Sequence, residues 1–255
     1  MEPTSRGGGE DAAAAGIRYE GATTIGLYLL PDLTPLLQRR GVRLASVGGL
    51  GTNAGLEAVR AGRADVAGVM REISEAERAE PLRWEVVGYD ALGVFVHGQN
   101  PVRALSRAQL RDVFLGRVRS WRELGGGDGP VRPVTERKAG GRGTVVEFRR
   151  IVLGGAEYGP TEEYEDAPDC VRRAAADPLA ITVASMSMAE PGVRALALDG
   201  VEPGGDGIRS GAYLLGRPMY LVGRQPPPAG VAALLEIALS REGQAVIARR
   251  FTPAR

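Results

Sequence analysis

Apolar positions along the chain fall into two alternating periods. Residues 25–37 carry them at helical spacing (Ile25, Leu29, Leu30, Leu33, Leu36, Leu37), interrupted by Pro31. Residues 42–47 form a short apolar run with β character, and a glycine-rich turn at 48–51 leads into a short helix over 54–61, with Leu56 and Val59 inward. Strands follow at 64–70 and 85–96, the second centred on Leu92-Gly93-Val94-Phe95-Val96. Beyond Pro101 the pattern restarts. Ser106 can cap a helix over 107–114 because its hydroxyl accepts an orphan amide hydrogen bond. Residues 125–130 read as a loop, 131–135 as a strand, and 144–152 as a helix with Val145, Phe148 and Val152 on one face. A helix at 170–176, strands at 179–184 and 193–198, a polar loop at 199–211, a strand at 217–223 and one or two helices in 230–251 complete the pattern. Strands alternating with helices predict α/β layers in two units, with a last segment able to return to the first.

Composition narrows the function. The 255 residues suffice for two lobes of ordinary size, and 44% of them are hydrophobic, enough for a sizeable core. Lys and Arg total 32 against 31 Asp and Glu, a net charge of +1, without the basic excess of a nucleic-acid binder. A small anion is not excluded, since one pocket needs only a few local donors. The single cysteine, Cys170, permits no intramolecular disulfide and no cysteine-based metal cluster. The single histidine, His97, precedes a turn-like Gly98-Gln99-Asn100-Pro101, which leaves nucleophiles without a histidine base. No enzyme, cofactor or metal is therefore expected. No stretch approaches the ~20 apolar residues of a membrane span. Residues 1–16, rich in Gly, Ala and acids, read as a flexible lead-in without the apolar core of a signal peptide; export would require a signal absent from this sequence.

Three places set small, hydroxylated or glycine residues where a strand ends and a helix begins: Gly21-Ala22-Thr23-Thr24-Ile25, the stretch from Gly49 to Gly55 containing Thr52 and Asn53, and Arg137 to Thr144. Each would offer backbone N–H groups at a helix N-terminus, where the dipole favours an anion. Arg71, Arg137 and Arg142 are candidates for charge pairing with it. None of the loops matches the nucleotide-binding Gly-Lys-Ser/Thr or Gly-x-Gly-x-x-Gly patterns.

The order of motifs resembles the phosphate-binding proteins of ABC importers over residues 17–255. Gly21-Ala22-Thr23-Thr24-Ile25 is similar to that family's opening Gly-Ser-Thr-Thr-Val, and Ala64-Asp65-Val66-Ala67 followed by Arg71 to its Ala-Asp-Ile-Ala segment. Asp90 to Val96 with Asn100-Pro101-Val102 resembles its Asp-Gly-Leu-Ala-Val-Ile-Val…Asn-Pro-Val. Gln109-Leu110-Arg111-Asp112-Val113-Phe114-Leu115-Gly116 followed by Ser120-Trp121 resembles its Gln-Leu-Arg-Asp-Ile-Phe-x-Gly…Asn-Trp. Arg217-Pro218-Met219-Tyr220 resembles its return to the first lobe.

The resemblance implies a two-lobed type II periplasmic-binding-protein fold, each lobe a mixed sheet flanked by helices, with a ligand cleft between them. Lobe 1 would comprise residues 17–96 and 213–255 and lobe 2 residues 97–212, with crossovers near 94–97 and 213–220. It implies a monomeric periplasmic or extracellular, membrane-associated receptor that captures phosphate or a related tetrahedral oxyanion for an ABC permease. The site carried over is Ala22, Thr23, Thr24, Thr52, Asn53, Arg71, Asp90, Arg137, Arg142, Gly143 and Thr144. Two departures stand out: Met70 precedes Arg71 where the family has serine, and Arg142 stands for the serine before Gly143-Thr144, in a loop one residue longer. Either Arg142 folds into the cleft and replaces the missing hydroxyls with a guanidinium, or the chain is a sensor or interaction domain that keeps the fold while binding another ligand or none. Asp90 is the candidate acceptor for the proton that distinguishes hydrogen phosphate from sulfate, with Asp65 structural.

Overall fold

The computed structural model describes residues 16–255, so the expected lead-in lies, but for Gly16, outside the described residues. In chain order the elements are β1 (Ile17–Gly21), a π-helical turn (Ile25–Leu29) running into α1 (Leu30–Arg39), β2 (Leu44–Val47), α2 (Thr52–Arg60), β3 (Val66–Val69), α3 (Glu75–Arg78) and β4 (Leu82–His97). Then come β5 (Ala104–Leu105), α4 (Arg107–Phe114), β6 (Arg132–Glu136), α5 (Gly143–Ile151), β7 (Glu162–Tyr164), α6 (Ala167–Ala176), β8 (Ala180–Ser185) and β9 (Val193–Leu198). The chain ends with α7 (Gly205–Arg209), β10 (Gly216–Arg224), α8 (Ala229–Leu239), α9 (Arg241–Ile247) and β11 (Thr252–Pro253).

Local chemistry accounts for several boundaries. Ser106 caps α4 through a complete capping box with Gln109. Pro31 has no N–H, and its ring would press on the carbonyl of Leu27; the preceding turn widens, with the Leu30 amide donating to Ile25 O. The loop expected over 199–211 contains α7, a helix with no side-chain cap to announce it.

The strand order is β2-β1-β3-β10-β4-β8-β6-β7. β4 joins the two halves. Its 16 residues extend roughly 50 Å. Residues 82–91 pair antiparallel with β10, and residues 92–97 with β8 and β9. Partners change between Ala91 and Leu92, upstream of the boundary expected between 96 and 97. The returning chain runs alongside there, with the Leu92 amide donating to Leu215 O at 3.0 Å and the Tyr213 hydroxyl to Leu92 O at 2.7 Å.

Each half-sheet is covered on both faces. In β10, Met219 and Leu221 face the α1–α8–α9 layer, while Tyr220 and Val222 face α2. In β4, Val94 and Val96 pack with Phe114, Phe148 and Ile181, and Phe95 packs with Val171 of α6 on the other face. This is the two-residue alternation of a strand buried on both sides.

Two glycines set the end of β1 against β3. Gly21 has φ +142°, and a Cβ there would lie 2.5 Å from the backbone of Gly68; a Cβ on Gly68 would lie 2.0 Å from the Tyr19 hydroxyl. Only glycine permits this approach, which seats residues 22–24 beside Met70.

Candidate functional site

A small pocket opens where the two half-sheets meet. Its walls come from the Ala22–Thr24 loop, Gly51, Met70 at the end of β3, Glu136 at the end of β6, Arg142 to Thr144 at the start of α5, and Arg217 of β10. The cavity volume is about 20 Å³, room for one or two water-sized groups and far below the roughly 300 Å³ and more of pockets for larger organic ligands.

The loops converge for local reasons. The Ala22 amide donates to Gly68 O at 2.9 Å, and the Gly51 amide to Gly21 O at 2.9 Å. The Thr23 hydroxyl donates to Gly49 O at 3.0 Å, pinning the first loop to the second. Thr24 is buried. α5 is nine residues long, and its N-cap is Arg142, whose side chain makes no cap hydrogen bond. The first amides of α5 are thus left uncapped, with the positive end of the dipole at the pocket.

Two guanidiniums reach the site. Arg217 is 3% exposed; its Nε and Nη2 donate to Asp90 Oδ2 at 3.1 and 2.9 Å, and its Nη1 to Thr144 Oγ1 at 3.3 Å. Ser185 Oγ donates to the other Asp90 oxygen at 2.7 Å. Burial pushes the Asp90 carboxyl up, against the pull of Arg217 and Ser185. Arg142 donates to Asp166 and Glu165, both at 3.0 Å, and stands 3.8 Å from Glu136. Glu136 is buried. Burial holds its carboxyl above the usual carboxylate range, opposed by Arg142, Arg217 and a hydrogen bond from the Thr144 hydroxyl, with Asp166 adding to the rise.

The sequence-derived candidates divide. Ala22, Thr23, Thr24, Arg142, Gly143 and Thr144 meet at the pocket. Thr52 lies behind it, its hydroxyl accepting the Met70 amide at 3.2 Å. Four candidates are otherwise engaged. Arg71 forms a two-pronged pair with Glu77, at 2.9 and 2.7 Å, and Asn53 accepts from Arg71 at 3.0 Å. Arg137 is exposed and paired with Glu165. Asp90 supports Arg217, and both its oxygens are occupied. Arg142 reaches the pocket, but with its two terminal nitrogens already on acids.

Arg217 and Glu136 were not singled out from the sequence. Arg217 had a visible signal, a lone charge opening the apolar run Met219-Tyr220-Leu221-Val222. Glu136 had only its place at the end of a strand before the third loop. Among the described residues no group of His, Cys, Asp and Glu is placed to hold a metal ion, and no helix is long and apolar enough to cross a membrane.

The profile of the PBP superfamily domain matches residues 7–242. The chain belongs to the PBP superfamily. Within that superfamily it is 28% identical over 213 residues to the phosphate-binding protein PstS of Bacillus subtilis (strain 168), covering 80% of this chain and 69% of that protein. Its fold resembles that of a substrate-binding protein assigned to phosphate ABC transport, with bound phosphate, from Clostridium perfringens. The TM-score is 0.86 at 22% identity, over 94% of this chain and all of the other. An ABC-type phosphate transport receptor from Vibrio cholerae matches with TM-score 0.78 at 21% identity, again over 94% of this chain and all of the other. The architecture expected from the sequence, a type II periplasmic-binding-protein fold, is the one observed.

Proposed function

We propose that this PBP-superfamily chain is a receptor, not an enzyme, that captures phosphate or a similar tetrahedral oxyanion in the pocket and delivers it to the permease of an ABC importer. The observation that carries this reading is the convergence of buried Thr24, Thr144 with the uncapped start of α5, and the buried Arg217 on one pocket between the half-sheets. Hydroxyls, helix-end amides and a guanidinium are the donors a compact oxyanion requires. The names of the B. subtilis, C. perfringens and V. cholerae relatives agree with it. The ligand-contacting set is then Ala22, Thr23, Thr24, Arg142, Gly143, Thr144 and Arg217. The lobes are the parts built on the two halves of β4, meeting at Ala91–Leu92, so that ligand contacts made better in the closed state draw them together. The receptor works outside the cytoplasm, as a monomer.

A second reading is favoured by one observation: both arginines at the pocket already hold carboxylates, as a sensor or interaction domain without this ligand would allow. Isothermal titration with phosphate decides between them. The receptor reading expects saturable binding, weakened about 10–100-fold in Thr144→Val by loss of one hydrogen bond to a charged ligand. No binding of phosphate, sulfate or molybdate at millimolar concentration would overturn it.

A further inference from the structure

The carboxylate of Glu136 sets a condition on any anion that enters. The charges around the pocket are matched before a ligand arrives: Arg217 by Asp90 at 2.9 Å, and Arg142 by Asp166 and Glu165 at 3.0 Å. Glu136 is left over. The cation nearest it, Arg142, stands 3.8 Å away and is held by those two other acids. The charged and titratable groups facing Glu136 are Arg142 at the start of α5, Arg217 of β10, Asp166 before α6, Tyr158 and Cys170 of α6. Burial pushes the Tyr158 hydroxyl up, and the Cys170 thiol to about 12, so neither carries charge at neutral pH.

The hydrogen-bond chain points the same way. Arg217 Nη1 donates to Thr144 Oγ1 at 3.3 Å, which leaves the Thr144 hydroxyl proton to point away from Arg217, on the pocket wall that Glu136 shares. A hydroxyl has one proton. While Glu136 is ionised, its carboxylate competes with an incoming anion for that proton. Two buried negative groups side by side do not both stay unprotonated.

Building on the receptor reading, we propose that capture of the oxyanion is coupled to uptake of one proton at Glu136. Protonation removes the negative charge beside the anion. It also makes the carboxyl a donor and frees the Thr144 hydroxyl to donate to the ligand. The proton comes from solvent and ends on Glu136, so binding takes up one proton more than the ligand's own ionisation accounts for. Affinity then falls as pH rises above the point where free Glu136 ionises, by about tenfold per pH unit at the limiting slope of one proton.

The test is calorimetry of the full chain with inorganic phosphate, in two buffers of different ionisation enthalpy across neutral to alkaline pH, for wild type and Glu136→Gln. Glutamine keeps the size and a hydrogen-bonding end but cannot titrate, and the ligand's own ionisation is common to both proteins. The expected result is a wild-type proton uptake exceeding the variant's by close to one, with a pH slope correspondingly shallower in the variant. Difference infrared spectroscopy gives an independent readout on the wild type, should the variant fold poorly: a protonated-carboxyl C=O band appears on adding phosphate at alkaline pH. Phosphate binding with equal proton counts and no carboxyl band overturns the coupling while leaving the receptor reading intact. No phosphate binding by either protein overturns the receptor reading, and the coupling with it.

Discussion

The Asp90–Arg217 pair offers the sharpest test of how the two half-sheets are held where they meet. Its side chains are 1% and 2% exposed, so neither charge has water as an alternative partner. Asp90→Leu strands the guanidinium with only Thr144 Oγ1 as an acceptor. Breaking a buried pair in this way costs about 3–5 kcal/mol. For a chain of this size that is a fall of roughly 6–20 °C in melting temperature. Replacing both residues by apolar ones, Asp90→Leu with Arg217→Met, removes the stranded charge. Such double replacements fall near neutral or better, and Ser185 keeps a partner in Ser187 at 2.7 Å. The double variant is therefore expected within about 2 kcal/mol of wild type, a coupling of about 3 kcal/mol or more in the double-mutant cycle. Urea unfolding followed by circular dichroism, with m-values checked for constancy, measures all four corners. A single-variant loss below about 1 kcal/mol, or a double variant that loses the sum of the two singles, would refute the reasoning. Phosphate affinity should fall in both variants lacking Arg217, since its guanidinium lines the pocket.

Three further predictions follow from the same geometry. Arg71 holds the Glu77 carboxyl down to about 2 from an ordinary 4.5; its stabilising effect is full above pH 4.5 and is lost as pH falls toward 2. Arg71→Met should move the Glu77 carbon-13 titration back toward 4.5 and start acid unfolding at higher pH, and an unmoved titration would refute the pairing. Glu136 carries the opposite sign, because burial raises its folded value and its ionisation weakens the fold as pH rises through that value. Ligand-free Glu136→Gln should melt higher than wild type at alkaline pH and converge with it below pH 4.5; a constant difference across pH would refute this. Gly68→Ala puts a Cβ 2.0 Å from the Tyr19 hydroxyl in a buried strand. It should lower stability by about 1–3 kcal/mol or more, and an unchanged urea midpoint would show that β1 and β3 have slack the packing denies.

Features set by neighbours in the chain were legible in the sequence. Ser106 announced α4 because a capping hydroxyl acts three residues away. The apolar run Leu92-Gly93-Val94-Phe95-Val96 announced a strand, though not that one strand serves two half-sheets, since partner choice leaves no mark on a uniformly apolar run. Thr24, Gly143 and Thr144 were legible as pocket-lining positions because they stand where a strand gives way to a helix.

Charge assignment was not legible. With 32 basic and 31 acidic side chains, composition leaves every arginine a choice of partners, and the choice is made by residues distant in sequence. Arg217 meets Asp90 across 127 positions and Arg142 meets Asp166 across 24, whereas Arg71 is taken by Glu77 only six residues on, away from the pocket. The amino-acid sequence by itself determined the layered α/β architecture and the loops whose amides and hydroxyls face the cleft, because both follow from short-range periodicity and capping. Only the tertiary structure decided which charges remain at the pocket, because a buried ion pair is fixed by which side chains lose water together, and that is a property of the packed strands.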